Sequence, residues 1–192
     1  MTTVSIIGKG NMGQAIAGIV TRGGHTVAET LDSSDGDRSV TGDIVVLAVY
    51  YRALTDVLAQ HGADLAGRIV VDITNPLNFE TFDALTVPPD SSAAAELAAA
   101  LPQSRVLKAF NTTFAGTLSS GQVGSLPQTV LIAGDDDGAK AALAEVVTAG
   151  GLEAVDVGSL RRARELEALG FLQLTLAAGE KISWTGGFGL VR

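Results

Sequence analysis

The feature that most constrains this chain is Gly8-Lys9-Gly10-Asn11-Met12-Gly13. Before it runs Val4-Ser5-Ile6-Ile7, short, apolar and β-branched, as a buried strand is. After it runs Gln14-Ala15-Ile16-Ala17-Gly18-Ile19-Val20, which reads as a helix. Strand, glycine turn and helix together form the context of a dinucleotide-binding turn. Gly8 permits a sharp turn off the strand, Gly10 lets a pyrophosphate reach the backbone, and Gly13 lets the helix lie close to the strand. The helix N-terminus adds free N–H groups and the positive end of its dipole.

A chain of 192 residues suits one domain with a small appendage. It is 46% hydrophobic but only 5% aromatic, so its core is built from Ala, Val, Leu and Ile, as suits a parallel sheet covered by helices. The formal net charge of −8 argues against a nucleic-acid footprint, which needs a basic face, and disfavours anionic membrane surfaces. The absence of cysteine excludes disulfides, thiolate metal sites and cysteine nucleophiles. No basic leader opens the chain, and no apolar run approaches the roughly 18 residues of a membrane span. These features predict a soluble cytoplasmic protein.

Apolar runs place strands at 3–8, 25–31, 43–49, 68–73, 105–110, 128–134 and 152–157. Helical patterns fall at 11–22, 52–60, 93–101, 114–120, 137–149 and 160–179, with Gly62 and Gly67 bracketing the turn after the second. The polar stretch 32–39 has no helical period, so the helix usual at that point is shortened or missing. Residues 74–89 hold Pro76, Pro88 and Pro89 and read as a long active-site loop. Asp135-Asp136-Asp137 reads as helix capping, and no cluster of metal ligands stands out. The alternation predicts an α/β fold, a Rossmann-like doubly wound parallel sheet over 1–158, with a C-terminal helix and tail over 159–192.

An acidic residue is expected at the end of the second strand to bind a ribose hydroxyl of NAD, and Asp32 lies there; Glu29 is a weaker candidate because it points along the strand. NADP calls for a basic residue there, but none sits at 32–35 and Arg38 is the nearest, so these residues lean slightly to NAD, with Lys9, Ser33 and Ser34 as the groups left for a 2′-phosphate. Ligands of such sheets bind outside the carboxyl ends of the strands. Those ends carry Ala48-Val49-Tyr50-Tyr51, Thr74-Asn75-Pro76 and Asn111-Thr112-Thr113, which supply hydrogen bonds and ring faces for a nicotinamide. Tyr50, Tyr51, Asn111 and Thr112 are the candidate substrate contacts.

No catalytic acid–base pair stands out. His25 begins the second strand, and His61 is expected in a loop at the opposite edge of the sheet. Lys108 lies inside a strand, where a paired lysine is the ordinary reading. Hydride transfer between two stacked rings needs position and exclusion of water rather than side-chain acid–base chemistry. The missing pair therefore favours a flavin-like or quinone-like acceptor over a carbonyl.

Gly8 to Gly13, Val71-Asp72-Ile73-Thr74-Asn75-Pro76 and Val106-Leu107-Lys108-Ala109-Phe110-Asn111 together resemble the NADPH-dependent deazaflavin-coenzyme reductases, the coenzyme F-420:NADP oxidoreductases and their bacterial relatives. The same set is similar to the cytosolic NADPH domain of the STEAP metalloreductases. Ala133-Gly134-Asp135-Asp136, Val157-Gly158-Ser159-Leu160 and Arg164-Glu165-Leu166-Glu167 continue the likeness, and short bacterial members share the Trp184-Thr185-Gly186-Gly187-Phe188 tail. The resemblance implies NADP(H) as cofactor, a homodimer formed with the C-terminal helix, and hydride transfer between NADPH and a flavin or deazaflavin ring. It implies that Gly8 to Gly13 bind pyrophosphate, that Val49 and Tyr50 line the nicotinamide, and that Asn75 and Asn111 hold ribose or carboxamide. The family usually carries Ser-Arg or Ser-Lys after the second strand; Asp32-Ser33-Ser34 stands here, so NAD(H) stays open beside NADP(H). For the acidic tail of a deazaflavin the chain offers few cations: Arg52, Lys108, Arg161 and Arg162.

The final helix carries Leu160, Leu166, Leu169, Phe171, Leu172, Leu174 and Leu176, more than one buried face requires. It predicts a homodimer, with Trp184 and Phe188 near the partner or the cleft; packing on its own sheet is the alternative. Three functions fit the sequence: a nicotinamide-dependent oxidoreductase with a flavin-like acceptor, a reductase of a small imine or carbonyl, and a dinucleotide-binding sensor without turnover.

Overall fold

The first strand, β1 (Thr3–Ile7), is flanked on both sides, by β2 (Thr26–Leu31) and by β3 (Ile44–Leu47). This computed structural model describes residues 1–36 and 38–191; Asp37 in the stretch after β2, and Arg192 at the end of the tail, lie outside the described residues. Beyond β3 the sheet continues through β4 (Ile69–Asp72), β5 (Arg105–Lys108), β8 (Thr129–Gly134) and β9 (Glu153–Gly158), in the order β2-β1-β3-β4-β5-β8-β9. A separate two-stranded hairpin, β6 (Gln122–Val123) with β7 (Leu126–Pro127), precedes β8.

β3 and β4 read Ile-Val-Val-Leu and Ile-Val-Val-Asp, and every residue in them is buried. Such unbroken apolar strands belong to a sheet covered on both faces. On one face α1 (Asn11–Arg22) and α5 (Asp137–Ala149) press Ile16, Ile19, Leu143 and Val147 against Ile6, Val46 and Val71. On the other, α2 (Leu54–Leu65), α3 (Ala93–Ala100) and the 3₁₀ turn Leu160–Arg162 press Leu54, Val57, Leu97 and Leu160 against Val45, Leu47 and Val70. Ser92 caps α3 by accepting from Ala95 N at 3.0 Å, and Asp136 caps α5 by accepting from Ala139 N at 2.7 Å. The expected doubly wound Rossmann-like sheet is borne out.

Two strands, β8 and its parallel neighbour β9, run opposite to the rest of the expected parallel sheet. β8 pairs antiparallel with β5, through Leu107↔Gly134 and Lys108↔Ala133. The short α4 (Ala115–Ser120) and the β6–β7 hairpin lead into β8 in place of a full crossover helix. Strand–helix alternation does not encode this direction.

α2 also runs further than the expected 52–60. A 3₁₀ turn, Tyr51–Ala53, leads into it, and Gly62 lies inside it. Val57, His61 and Leu65, spaced by four, carry the buried stripe past the glycine. His61 is therefore a buried helical residue and not a loop residue at the far edge of the sheet. His25 stays outside the site, its Nδ1 accepting from Thr2 N at 3.2 Å.

The last helix, α6 (Ala163–Ala178), buries Leu166, Glu167, Gly170, Gln173 and Ala177. Leu169, Phe171, Leu174 and Leu176 are half-buried, and Leu172 is exposed. Among the described residues, no helix is long and apolar enough to cross a membrane.

Candidate functional site

At the carboxyl ends of β1 and β3 the chain leaves to opposite sides of the sheet, which opens a crevice there. Gly8 N donates to Leu31 O at 2.7 Å, and Ala48 N to Ile7 O at 2.7 Å, so the ends of β2, β1 and β3 are tied together. Gly8 holds φ +125°, and a β-carbon there would lie 2.0 Å from Ala48 O. A β-carbon on Gly13 would lie 1.9 Å from Gly8 O. Gly10 is different: a β-carbon there meets nothing within 4 Å. It is the N-cap of α1 and offers no side chain to the first-turn N–H groups, which have no acceptor within the helix. Open space beside uncapped donors fits a pyrophosphate.

The crevice opens into a cleft of about 1040 Å³. Of the expected cofactor residues, Gly8, Gly10, Asn11, Met12, Asp32, Ser33, Ala48, Val49, Tyr50, Asn75 and Asn111 line it. Lys9 sits at the end of β2, bound to carboxylates; Gly13 lies beneath the turn; Ser34 donates to Asp32; and Pro76 accepts from Thr86 through its carbonyl. Among the expected substrate contacts Tyr50 and Asn111 face the cleft. Tyr51 turns aside, its hydroxyl donating to Glu96, and burial with that carboxylate pushes its pKa up to about 12. Thr112 is buried outside the lining.

At the end of β2, Lys9 Nζ lies 2.5 Å from Asp35 and 3.4 Å from Asp32. Asp32 accepts from Ser34 N at 2.8 Å, and Asp35 accepts from Asp32 N at 2.8 Å. The Lys9 hydrogen bond holds Asp35 down to about 2, the Ser34 hydrogen bonds lower Asp32, and Asp35 in turn raises Lys9. Glu29 takes no part; its carboxylate accepts from Ser5 and from Thr41 N at 2.7 Å.

At the other end, Asn75 Nδ2 donates to Asn111 O at 3.0 Å while Asn111 Nδ2 donates to Asn75 Oδ1 at 3.0 Å and to Leu166 O at 2.8 Å. Asn111 Oδ1 and Thr74 Oγ1 are buried without a partner. Phe110, just before Asn111, holds φ +62°, a left-handed conformation that costs a bulky residue roughly 1–3 kcal/mol. Beneath this corner lies a buried ion cluster. Lys108 Nζ meets Asp72 at 2.8 Å, Glu167 at 2.8 Å and Thr74 O at 2.6 Å, all fully buried. Glu167 also accepts from Ala93 N at 3.0 Å and Ala94 N at 3.3 Å. Burial raises its pKa against the pull of Lys108. Lys108 is thus a paired lysine, held away from the cleft.

Aromatic rings complete the walls. Tyr50 and Phe79 meet edge to face at 5.3 Å, and Phe114 and Trp184 lie tilted at 56° with centroids 5.1 Å apart; all four line the cleft. Phe188 is held by its N–H, which donates to Gln173 Oε1 at 3.3 Å. Sequence reasoning missed the contribution of α2, whose Asp56, Val57, Gln60 and His61 line the cleft as one helical face. It also missed Phe114 and Leu174, for which residue type gave no signal, whereas Phe79 falls within the expected active-site loop 74–89.

No protein-family model matches the chain. Rat (Rattus norvegicus) metalloreductase STEAP3 is 35% identical over 133 residues, which is 69% of this chain but only 26% of that protein. An F420-dependent NADP reductase of Methanocaldococcus jannaschii is 29% identical over 163 residues, 83% of this chain and 73% of that one. Among solved structures, a candidate F420-dependent NADP reductase of Arthrobacter sp. FB24 superposes with a TM-score of 0.82 at 24% identity, covering 100% of both chains. The resemblance carried by the motifs is borne out, and the named relatives include NADP-dependent reductases.

Proposed function

We propose that this chain is an NADP(H)-dependent oxidoreductase that passes hydride between nicotinamide and a flavin- or deazaflavin-like ring. The observation that carries the reading is the open, uncapped Gly10 turn leading straight into a cleft walled by Tyr50, Phe79, Phe114 and Trp184. The first turn of α1 would hold the pyrophosphate, and Val49, Asn75 and Asn111 the nicotinamide end. Lys9, Ser33 and Ser34 would face a 2′-phosphate, with Asp32 facing the ribose. When bound, the dihydronicotinamide supplies the hydride. The protein's part is to position two planar groups and exclude water between them. The names of the relatives support both NADP(H) and the reductase class.

The test is calorimetric titration with NADPH and NADH on wild type and Asp32→Ala, followed by oxidation of NADPH with flavin acceptors. Binding of NADPH with acceptor-dependent oxidation supports the reading. If neither dinucleotide binds, it fails; if NADPH binds but no acceptor is reduced, a sensor without turnover takes its place.

We further propose that the protein acts in the cytoplasm as a homodimer through α6. Leu172 is exposed beside half-buried Leu169, Phe171 and Leu176, an apolar strip that a second copy would cover. A monomer mass by light scattering, unchanged by Leu172→Glu, would refute it.

A further inference from the structure

We propose that the acceptor is an uncharged conjugated ring, of the riboflavin or quinone type, with no phosphate or carboxylate tail. The proposal rests on the hydride-transfer reading above and narrows its substrate.

The recognition surface is aromatic. Tyr50, Phe79 and Trp184 are 60%, 42% and 53% exposed, although all three line the cleft. Large apolar groups left open in a concave site are what a planar ligand covers. Three of the four rings sit on the loop after β3, the loop after β4 and the C-terminal tail, and Phe114 precedes α4. Four separate segments thus converge on one slot.

The charge is the second observation. Among the described residues, no lysine or arginine lines the cleft, and its formally charged residues are Asp32 and Asp56. The cations nearby are committed or outside. Lys9, paired with Asp35 and Asp32, is set against the cofactor's own 2′-phosphate, Lys108 is buried with Asp72 and Glu167, and Arg52 lies over the Tyr50 ring at 5.6 Å, outside the lining. Tight capture of a phosphate or carboxylate tail favours Lys or Arg, and the cleft lining offers neither, only uncharged donors such as Ser33, Gln60 and Thr113. The glycine turn is taken by the cofactor's own pyrophosphate. A protein of formal charge −8, carrying a polyanionic cofactor as well, repels a second polyanion over about 10 Å at 0.1 M salt.

The step balances without further reagents. The acceptor ring gains a hydride, two electrons with one proton, and takes a second proton from solvent, while the dihydronicotinamide is oxidised to the nicotinamide cation.

Riboflavin and its phosphate ester FMN carry the same ring and differ by one charged group, so they isolate the question. NADP⁺-loaded protein is titrated with each by flavin fluorescence, at about 10 mM and about 300 mM salt, and initial rates of NADPH oxidation are measured in parallel. Riboflavin is expected to bind about tenfold more tightly than FMN at low salt, with the gap closing at high salt, and Trp184→Ala is expected to weaken both alike. Equal or tighter binding of FMN, or of an acid-tailed deazaflavin, at low salt overturns the proposal while leaving hydride transfer to a ring intact. Failure of every ring to bind or to be reduced by protein that still binds NADPH overturns the functional reading itself.

Discussion

Gly170 on α6 touches Asn75 so closely that a β-carbon would lie 2.3 Å from its Oδ1, and within 2.9 Å of Asn111 Nδ2. The two asparagines hold each other across the ends of β4 and β5, and the helix backbone is their floor. Gly170→Ala therefore displaces both amides. We expect a loss of about 1–3 kcal/mol in stability from overpacking, read by thermal or denaturant unfolding. We also expect weaker NADPH binding in calorimetry. A variant with unchanged melting and affinity would remove Asn75 and Asn111 from the cofactor site.

Gly10→Ala tests the turn without touching the fold. Gly10 has ordinary backbone angles, φ −71° and ψ −178°, and its β-carbon would enter open space. The variant should melt at or above the wild-type temperature, because alanine restricts the unfolded chain. NADPH affinity should fall by at least about tenfold, because the methyl occupies the approach of the pyrophosphate.

Lys9 is paired with two carboxylates, and the proposed function also sets it against a 2′-phosphate. Lys9→Ala should weaken NADPH by about tenfold and NADH little, and Asp35→Asn should shift selectivity toward NADPH by freeing the ammonium. Paired calorimetric titrations read both. A Lys9→Ala variant with unchanged NADPH affinity would exclude it as a phosphate ligand.

The pH dependence of stability has a definite sign at Glu167. Its pKa in the folded protein is raised above the usual 4.5 by burial. A raised carboxyl binds its proton more tightly in the folded state, so its contribution is fully present below about 4.5 and declines as pH rises through the folded value. Relative to Glu167→Gln, wild type should lose stability as pH climbs across that window, measured by melting at each pH. Lys108→Met, which leaves two carboxylates buried together, should cost about 3–5 kcal/mol.

The chain has a single tryptophan, and it stands in the cleft wall. Bound NADPH should quench its emission in a saturable titration. Emission indifferent to saturating NADPH would place Trp184 away from the bound cofactor.

The opening β1–turn–α1 unit is written locally. Val4 to Ile7, the three glycines and the apolar helix face each make their element from neighbouring residues, so β1, its turn and α1 appear within a residue of where they were expected. The polar run after β2 was correctly expected to lack a helix up to Gly36. Gly62 misled because a glycine lowers helix propensity by only about 1 kcal/mol, which the burial of His61 and Leu65 outweighs. The direction of β8 and the meeting of Lys108 with Glu167 depend on residues far apart in the chain, and local pattern carries no trace of either. The cleft-lining Trp184 was anticipated only as near a partner or the cleft.

Glu167 reaches from α6 to a lysine at the centre of the sheet, and its other oxygen accepts from the start of α3. The last helix is thereby wired into the interior. Cutting the chain at residue 158 would not release a free-standing sheet with a detachable cover, because it would leave Lys108 and the first turn of α3 without the carboxylate that both use. Loss of the helix and loss of the Asn75–Asn111 corner should be one cooperative event, so proteolytic or chemical unfolding that begins at the C-terminus should abolish cofactor binding at its first step.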